Sequence, residues 1–277
     1  MTISALTTYR SEDHPNMLWL EVETQEGIVG LGETFYAAES VEAYIHANLA
    51  PNVLGMSAID IEAVHYRARP YIGFVGASVE LRARSALDIA LWDAFGKATG
   101  QPVSVLLGGR IRENIPVYNT CAGYRYVRGP KVGATENFGI QSPTAADDYE
   151  DLHRFLNDPV GLAGSLLDMG INSMKIWPFD FAAEASQGQF ISPTDLKKAL
   201  WPFEEIKKEY GDRMQVSAEL HGVWNLPESL IICQALDDIG VRWIEDPVFL
   251  TNPVGIRELK RTVRSRIAMG ETRGGAE

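Results

Sequence analysis

Cysteine is scarce: Cys121 and Cys233 are the two in 277 residues, too few for a disulfide framework. Positive charge is short as well. Lys and Arg number 25 against 37 Asp and Glu, a formal net charge of −12, which argues against a nucleic-acid or anionic-membrane partner because both need a surplus of basic residues. No apolar run reaches membrane-spanning length, and the opening "MTISALTTYR" lacks the charged-then-apolar layout of a signal peptide. These absences predict a cytoplasmic protein whose partner is a small molecule. What remains is an ordinary globular make-up, 45% hydrophobic and 22% charged, able to bury one large core or two smaller ones.

The first part of the chain, residues 1–115, reads as an α+β unit. "NMLWLEVETQEGIVGLGETF" alternates apolar and polar residues on both sides of "QEG", which predicts a hairpin turning at Gly27. The glycines of "GIVGLGE" do not make a dinucleotide loop, because a phosphate-binding turn must open a helix and these lie inside a strand. "AAESVEAYIHANLAPNVLG" predicts a helix with Ser40 as N-cap and with Pro51 and Gly55 near its end. A longer helix follows in "VELRARSALDIALWDAFGKATGQP", where Leu81, Leu87, Leu91 and Phe95 recur at helical spacing before Gly100 and Pro102.

From residue 116 to 277 short apolar runs alternate with helical stretches. The runs are "IPVYNTC" (115–121), "MKIWPF" (174–179), "QVSAEL" (215–220), "VRWIED" (241–246) and "RIAMGE" (266–271). This is βα repetition, which implies a parallel sheet. All but the first run carry an ionisable residue at or near the C-terminal end: Lys175, Glu219, Glu245 and Glu271. A carboxylate just past a strand is most often a helix cap or a solvated loop residue. Here, however, Glu219, Glu245 and Glu271 follow one another at intervals of 26 residues, one βα unit each, so successive units bring a carboxylate to one edge of the sheet. In a (β/α)8 barrel that edge is the catalytic face. Converging carboxylates raise one another's pKa unless a cation neutralises them, and a hard divalent ion with oxygen ligands, Mg²⁺, suits the set.

These residues carry a resemblance. "ARSALDIALWDAFGKATGQPVSVLLGG" (83–109), "AELHG", "WIEDP" and "GET" occur in the order and spacing of the enolase superfamily, mandelate racemase/muconate lactonizing enzyme branch. The resemblance implies an α+β capping domain followed by a (β/α)8, TIM-type barrel, with Glu219, Glu245 and Glu271 as Mg²⁺ ligands. It implies abstraction of a proton α to a carboxylate and β-elimination of water from a sugar acid, the chemistry of an acid-sugar dehydratase. Many relatives have Lys-x-Lys where this chain has Lys175 and Trp177. Trp177 therefore removes the second Lys as a base and joins the substrate-binding candidates, and Lys175 becomes a partner for the substrate carboxylate or an electrostatic residue. His221 is similarly placed to the general acid of acid-sugar dehydratases, the alternative being a polar pocket residue. Arg125 and Tyr126, in the loop after the first run, are candidates to meet the sugar acid. Trp224 and Trp243 are expected to pack.

About five βα units are visible where a full barrel has eight, and no His follows His221 to supply the branch's Asp-His dyad. The expectation is therefore an incomplete barrel in a C-terminally truncated chain, its activity impaired. Two function classes stay open: a Mg²⁺-dependent hydro-lyase, with a racemase or epimerase as its close relative, and a non-catalytic fragment that keeps metal binding. Association into a homo-oligomer is left open.

Overall fold

The computed structural model describes residues 1–70, 78–123 and 150–271. They form two compact units, Met1–Ile115 and a second made of 116–123 and 150–271.

The first unit is built on an antiparallel sheet ordered β1 (Ile3–Tyr9), β2 (Met17–Thr24), β3 (Val29–Phe35). β2 lies in the middle and buries every second side chain, Leu18, Leu20 and Val22 among them. The hairpin turn carries Gly27 at φ 81°, a backbone state that glycine adopts without the Cβ penalty. β1 has no counterpart in the sequence reading, because "ISALTTY" fills its alternation with Ser and Thr in place of large apolar residues.

Helix α1 (Ala38–Tyr44) passes through a π-helical turn at Ile45–Leu49 into α2 (Ala50–Val53), and α3 (Ile61–Arg67) follows. The chain enters α1 through Ala37 in the left-handed region without a side-chain cap, so Ser40 is an interior first-turn residue and not the expected N-cap. Helix α4 (Val79–Thr99) ends at Gly100, φ 64°, as the sequence predicts, and the short α5 (Val103–Leu106) follows. The buried face of α4 is mostly alanine: Ala83, Ala86, Ala90 and Ala94 with Leu87 and Leu91. That small-residue face meets the glycines of "GIVGLGE". A Cβ on Gly30 would lie 2.0 Å from the Ala90 carbonyl oxygen, and one on Gly32 2.0 Å from that of Ala86. Both glycines thus let the helix backbone come down onto the strand.

The second unit holds a parallel sheet ordered β4 (Ser173–Ile176), β5 (Gln215–Glu219), β6 (Trp243–Glu245), β7 (Arg266–Ala268). Helices α6 (Asp151–Asn157) and α7 (Pro159–Asp168) precede β4. Helices α8 (Asp180–Ser186) and α9 (Pro193–Tyr210) join β4 to β5, α10 (Leu226–Ile239) joins β5 to β6, and α11 (Pro253–Thr262) joins β6 to β7. Asp158, Ser192, Asn225 and Asn252 each cap a helix by accepting a backbone N–H, with a proline at the first or second helical position. The helical stretch before β4 therefore breaks in two at Asp158-Pro159.

Residues paired across parallel strands share a face, so the register puts Lys175 beside Ser217 and Glu219 beside Glu245 on one side. The other side presents Met174, Ile176, Val216, Ala218 and Ile244 to a core that includes Phe203 of α9 and Ile232 of α10. The run at 115–121 departs from expectation. Instead of a strand, the described residues show a single parallel bridge from Asn119 to Met174, so the unit has four paired strands and not five. Pro116 has no N–H to give a ladder, Ile115 and Val117 are exposed, and Cys121 turns the chain away at φ 52°. Among the described residues no helix is long and apolar enough to cross a membrane.

Candidate active site

Short strands decide which groups meet. β5 and β6 stop at Glu219 and Glu245, and Glu271 follows β7 by three residues, so the carboxylates leave the sheet at one edge. One oxygen from each of Glu219, Glu245 and Glu271 lies within 4.8 Å of the other two. The cluster is graded in depth. Glu219 is 1% exposed, Glu245 is partly buried and Glu271 is exposed. Glu219 is also held from behind: its Oε1 accepts the backbone N–H groups of Leu220 (3.1 Å) and His221 (2.9 Å).

Lys175, 6% exposed, reaches in from β4. Its Nζ donates to Glu219 Oε2 and to Glu245 Oε2, each at 2.8 Å. Burial disfavours the ammonium, but hydrogen bonds to the two glutamates and their charges outweigh it, and the Lys175 pKa is raised. The Tyr118 ring, 5.7 Å from Nζ, adds a cation–π contact and stacks edge-on with Trp243 at 5.2 Å. Lys175 is therefore an electrostatic partner of two glutamates in this arrangement.

His221 stands two residues after Glu219 in a left-handed backbone state, φ 50°. Its Nδ1 lies 2.8 Å from Asp180 Oδ2, at the first turn of α8. Burial pulls the imidazole pKa down, but the Asp180 charge and hydrogen bond, with the charges of Glu219 and Glu271, raise it to about 9. The Trp177 ring meets the His221 ring edge-on, 5.3 Å between centroids, and the Phe155 ring at 5.7 Å. Trp177 is buried in the hydrophobic core of this unit, so it walls the His221 ring. Trp224 is fully buried, a packing residue as the sequence suggests. Arg125 and Tyr126 lie outside the described residues.

Two acids in this region escape the sequence reading. Asp180, just past the run at 174–179, has no part in it. Asp246 follows Glu245 directly, and strand alternation would turn it to the opposite face. Its backbone instead takes φ 41°, its side chain is buried with the residue 2% exposed, and neither carboxylate oxygen has a well-aligned hydrogen-bond partner among the described residues. Burial and the charges of Glu219 and Glu271 push its pKa up to about 6. Glu271 is likewise raised, by desolvation first and then by Glu219. Carboxylates that repel one another, with an orphaned buried acid behind them, have the donor chemistry of a hard divalent cation site.

The model of the mandelate racemase/muconate lactonizing enzyme N-terminal domain matches residues 4–108, and that of the enolase C-terminal domain-like family matches residues 160–277. The chain is 30% identical to a D-galactonate dehydratase of Xanthomonas oryzae pv. oryzae, over 98% of this chain and 62% of that protein. It is 28% identical to a D-mannonate dehydratase of Novosphingobium aromaticivorans, over 92% of this chain and 61% of that protein. A crystal structure of an enolase of the mandelate racemase subgroup from Agrobacterium tumefaciens superposes with a TM-score of 0.84 at 40% identity, covering 99% of this chain and 65% of that one. The chain thus spans about three-fifths of the length of the curated relatives it matches.

Proposed function

The chain belongs to the mandelate racemase/muconate lactonizing enzyme branch of the enolase superfamily, and from that premise we propose that it serves a Mg²⁺-dependent acid-sugar dehydratase reaction. The observation that carries the reading is the approach of Glu219, Glu245 and Glu271 within 4.8 Å, flanked by Lys175 and His221. The named dehydratases among its relatives support a sugar acid as the substrate class.

Glu219, Glu245 and Glu271 would hold the Mg²⁺, which when bound supplies electrostatic stabilisation of the negative charge that develops as the α proton leaves. Lys175 keeps the Glu219 and Glu245 carboxylates oriented and offers its ammonium to the substrate carboxylate. His221 donates a proton to the departing β-hydroxyl, so that water leaves and the enol of a 2-keto-3-deoxy acid remains. Trp177 confines the His221 ring and keeps water from that side. No residue among those described is assigned as the base.

Incubating the purified chain with Mg²⁺ and a panel of aldonates and aldarates, then assaying 2-keto acid with semicarbazide, tests the reading. Formation of 2-keto-3-deoxy acid that disappears on chelation supports it. Loss of the α proton to solvent with return of an epimer, and no keto acid, would move the assignment to a racemase.

A further inference from the structure

We propose that Asp180 is the positioning residue for His221, its carboxylate holding Nδ1 and so fixing which ring nitrogen is offered at the glutamate cluster. The contact is 2.8 Å, and Asp180 is 8% exposed, so little water competes for it. A carboxylate this close to Nδ1 favours a proton on that nitrogen, which leaves Nε2, on the far side of the ring, as the nitrogen directed away from Asp180. Other restraints act on the same ring. The His221 backbone sits at φ 50° with its N–H bound to Glu219 Oε1, and Trp177 meets the ring edge-on. A ring pinned at one nitrogen and packed on its edge loses its freedom to flip. The catalytic consequence rests on His221 acting as the acid proposed above, whereas the pairing itself does not.

The test is imidazole NMR on the histidine-labelled 277-residue chain at one fixed pH, with His221→Gln identifying the His221 signals. The expected result is a solvent-protected Nδ1–H resonance in the wild-type chain, lost in Asp180→Ala and regained in Asp180→Glu. Absence of that resonance from the wild-type spectrum overturns the proposal without requiring any variant to fold. Its persistence in a folded Asp180→Ala chain does so too. On a sugar acid that is turned over, Asp180→Ala lowers kcat with KM unchanged; an unchanged kcat also overturns it. Failure of every sugar acid to react removes the dehydratase reading alone, since the NMR signature needs no substrate.

Discussion

Two glutamates depend on Lys175 at once. Glu219, almost wholly buried, finds its cationic partner in that ammonium, and Glu245 shares it. Removing one partner of a buried ion pair leaves an uncompensated charge and costs about 3–5 kcal/mol. Lys175→Met, similar in length and without charge, is therefore expected to destabilise the metal-free chain by about that much, read from urea unfolding midpoints. Mg²⁺ should narrow the gap between variant and wild type, because a divalent cation compensates the same two carboxylates. A gap of equal size with and without Mg²⁺ would mean that the ion sits elsewhere. Glu245→Gln makes the complementary cut: it removes a charge from the cluster but keeps the shape. Losing a group that merely supports a metal site lowers affinity about 10–100-fold, so Mg²⁺ titration by calorimetry should show at least a tenfold loss, roughly. An unchanged affinity would remove Glu245 from the ligand set.

At the scale of elements, the meeting of α4 and β3 is set by what the strand omits. Gly32→Ala would place a methyl carbon 2.0 Å from the Ala86 carbonyl oxygen, closer than any relaxed contact, and the obstacle is helix backbone that cannot rotate away. Overpacking of this kind costs about 1–3 kcal/mol, and a lowered thermal midpoint of the variant is the expected reading; an unchanged midpoint would show that helix and strand can part at no cost. This contact explains why the glycines could be denied a phosphate role from sequence while their packing role stayed hidden, since the alanine face they meet lies about 60 residues downstream. The Glu219, Glu245 and Glu271 positions were legible because a strand ends where its βα unit turns, and equal units give equal spacing. Asp246 and Asp180 were not. One is turned by a positive φ that alternation cannot foresee, and the other is brought to His221 only by the fold of β4 into α8. The strand expected at 115–121 failed for a reason visible in its letters, a proline beside its first residue, and the helix break at Asp158-Pro159 carried the same kind of signal.

On the scale of the whole molecule, charge sets a problem that the site must solve. A chain of net charge −12 repels an anion such as the sugar acid proposed as its substrate, and its carboxylate cluster adds to the repulsion locally. Lys175 offsets part of that charge, and a divalent ion would offset more while binding to the folded chain alone. Stability must then rise with free Mg²⁺ by about 2.7 kcal/mol at a hundred times the dissociation constant. The rise should shrink as ionic strength grows, because part of the attraction comes from exposed acids screened beyond about 10 Å. Hydrogen exchange with and without Mg²⁺ locates the effect: slowing is expected to be greatest in the peptides that carry Glu219 and Glu245. Those glutamates, with Leu220 and His221 donating to one of them, would form the environment of a cation held there. Slowing confined to β1–β3, or none anywhere despite a raised midpoint, would place the ion outside the carboxylate cluster and remove the metal centre from the proposed reaction.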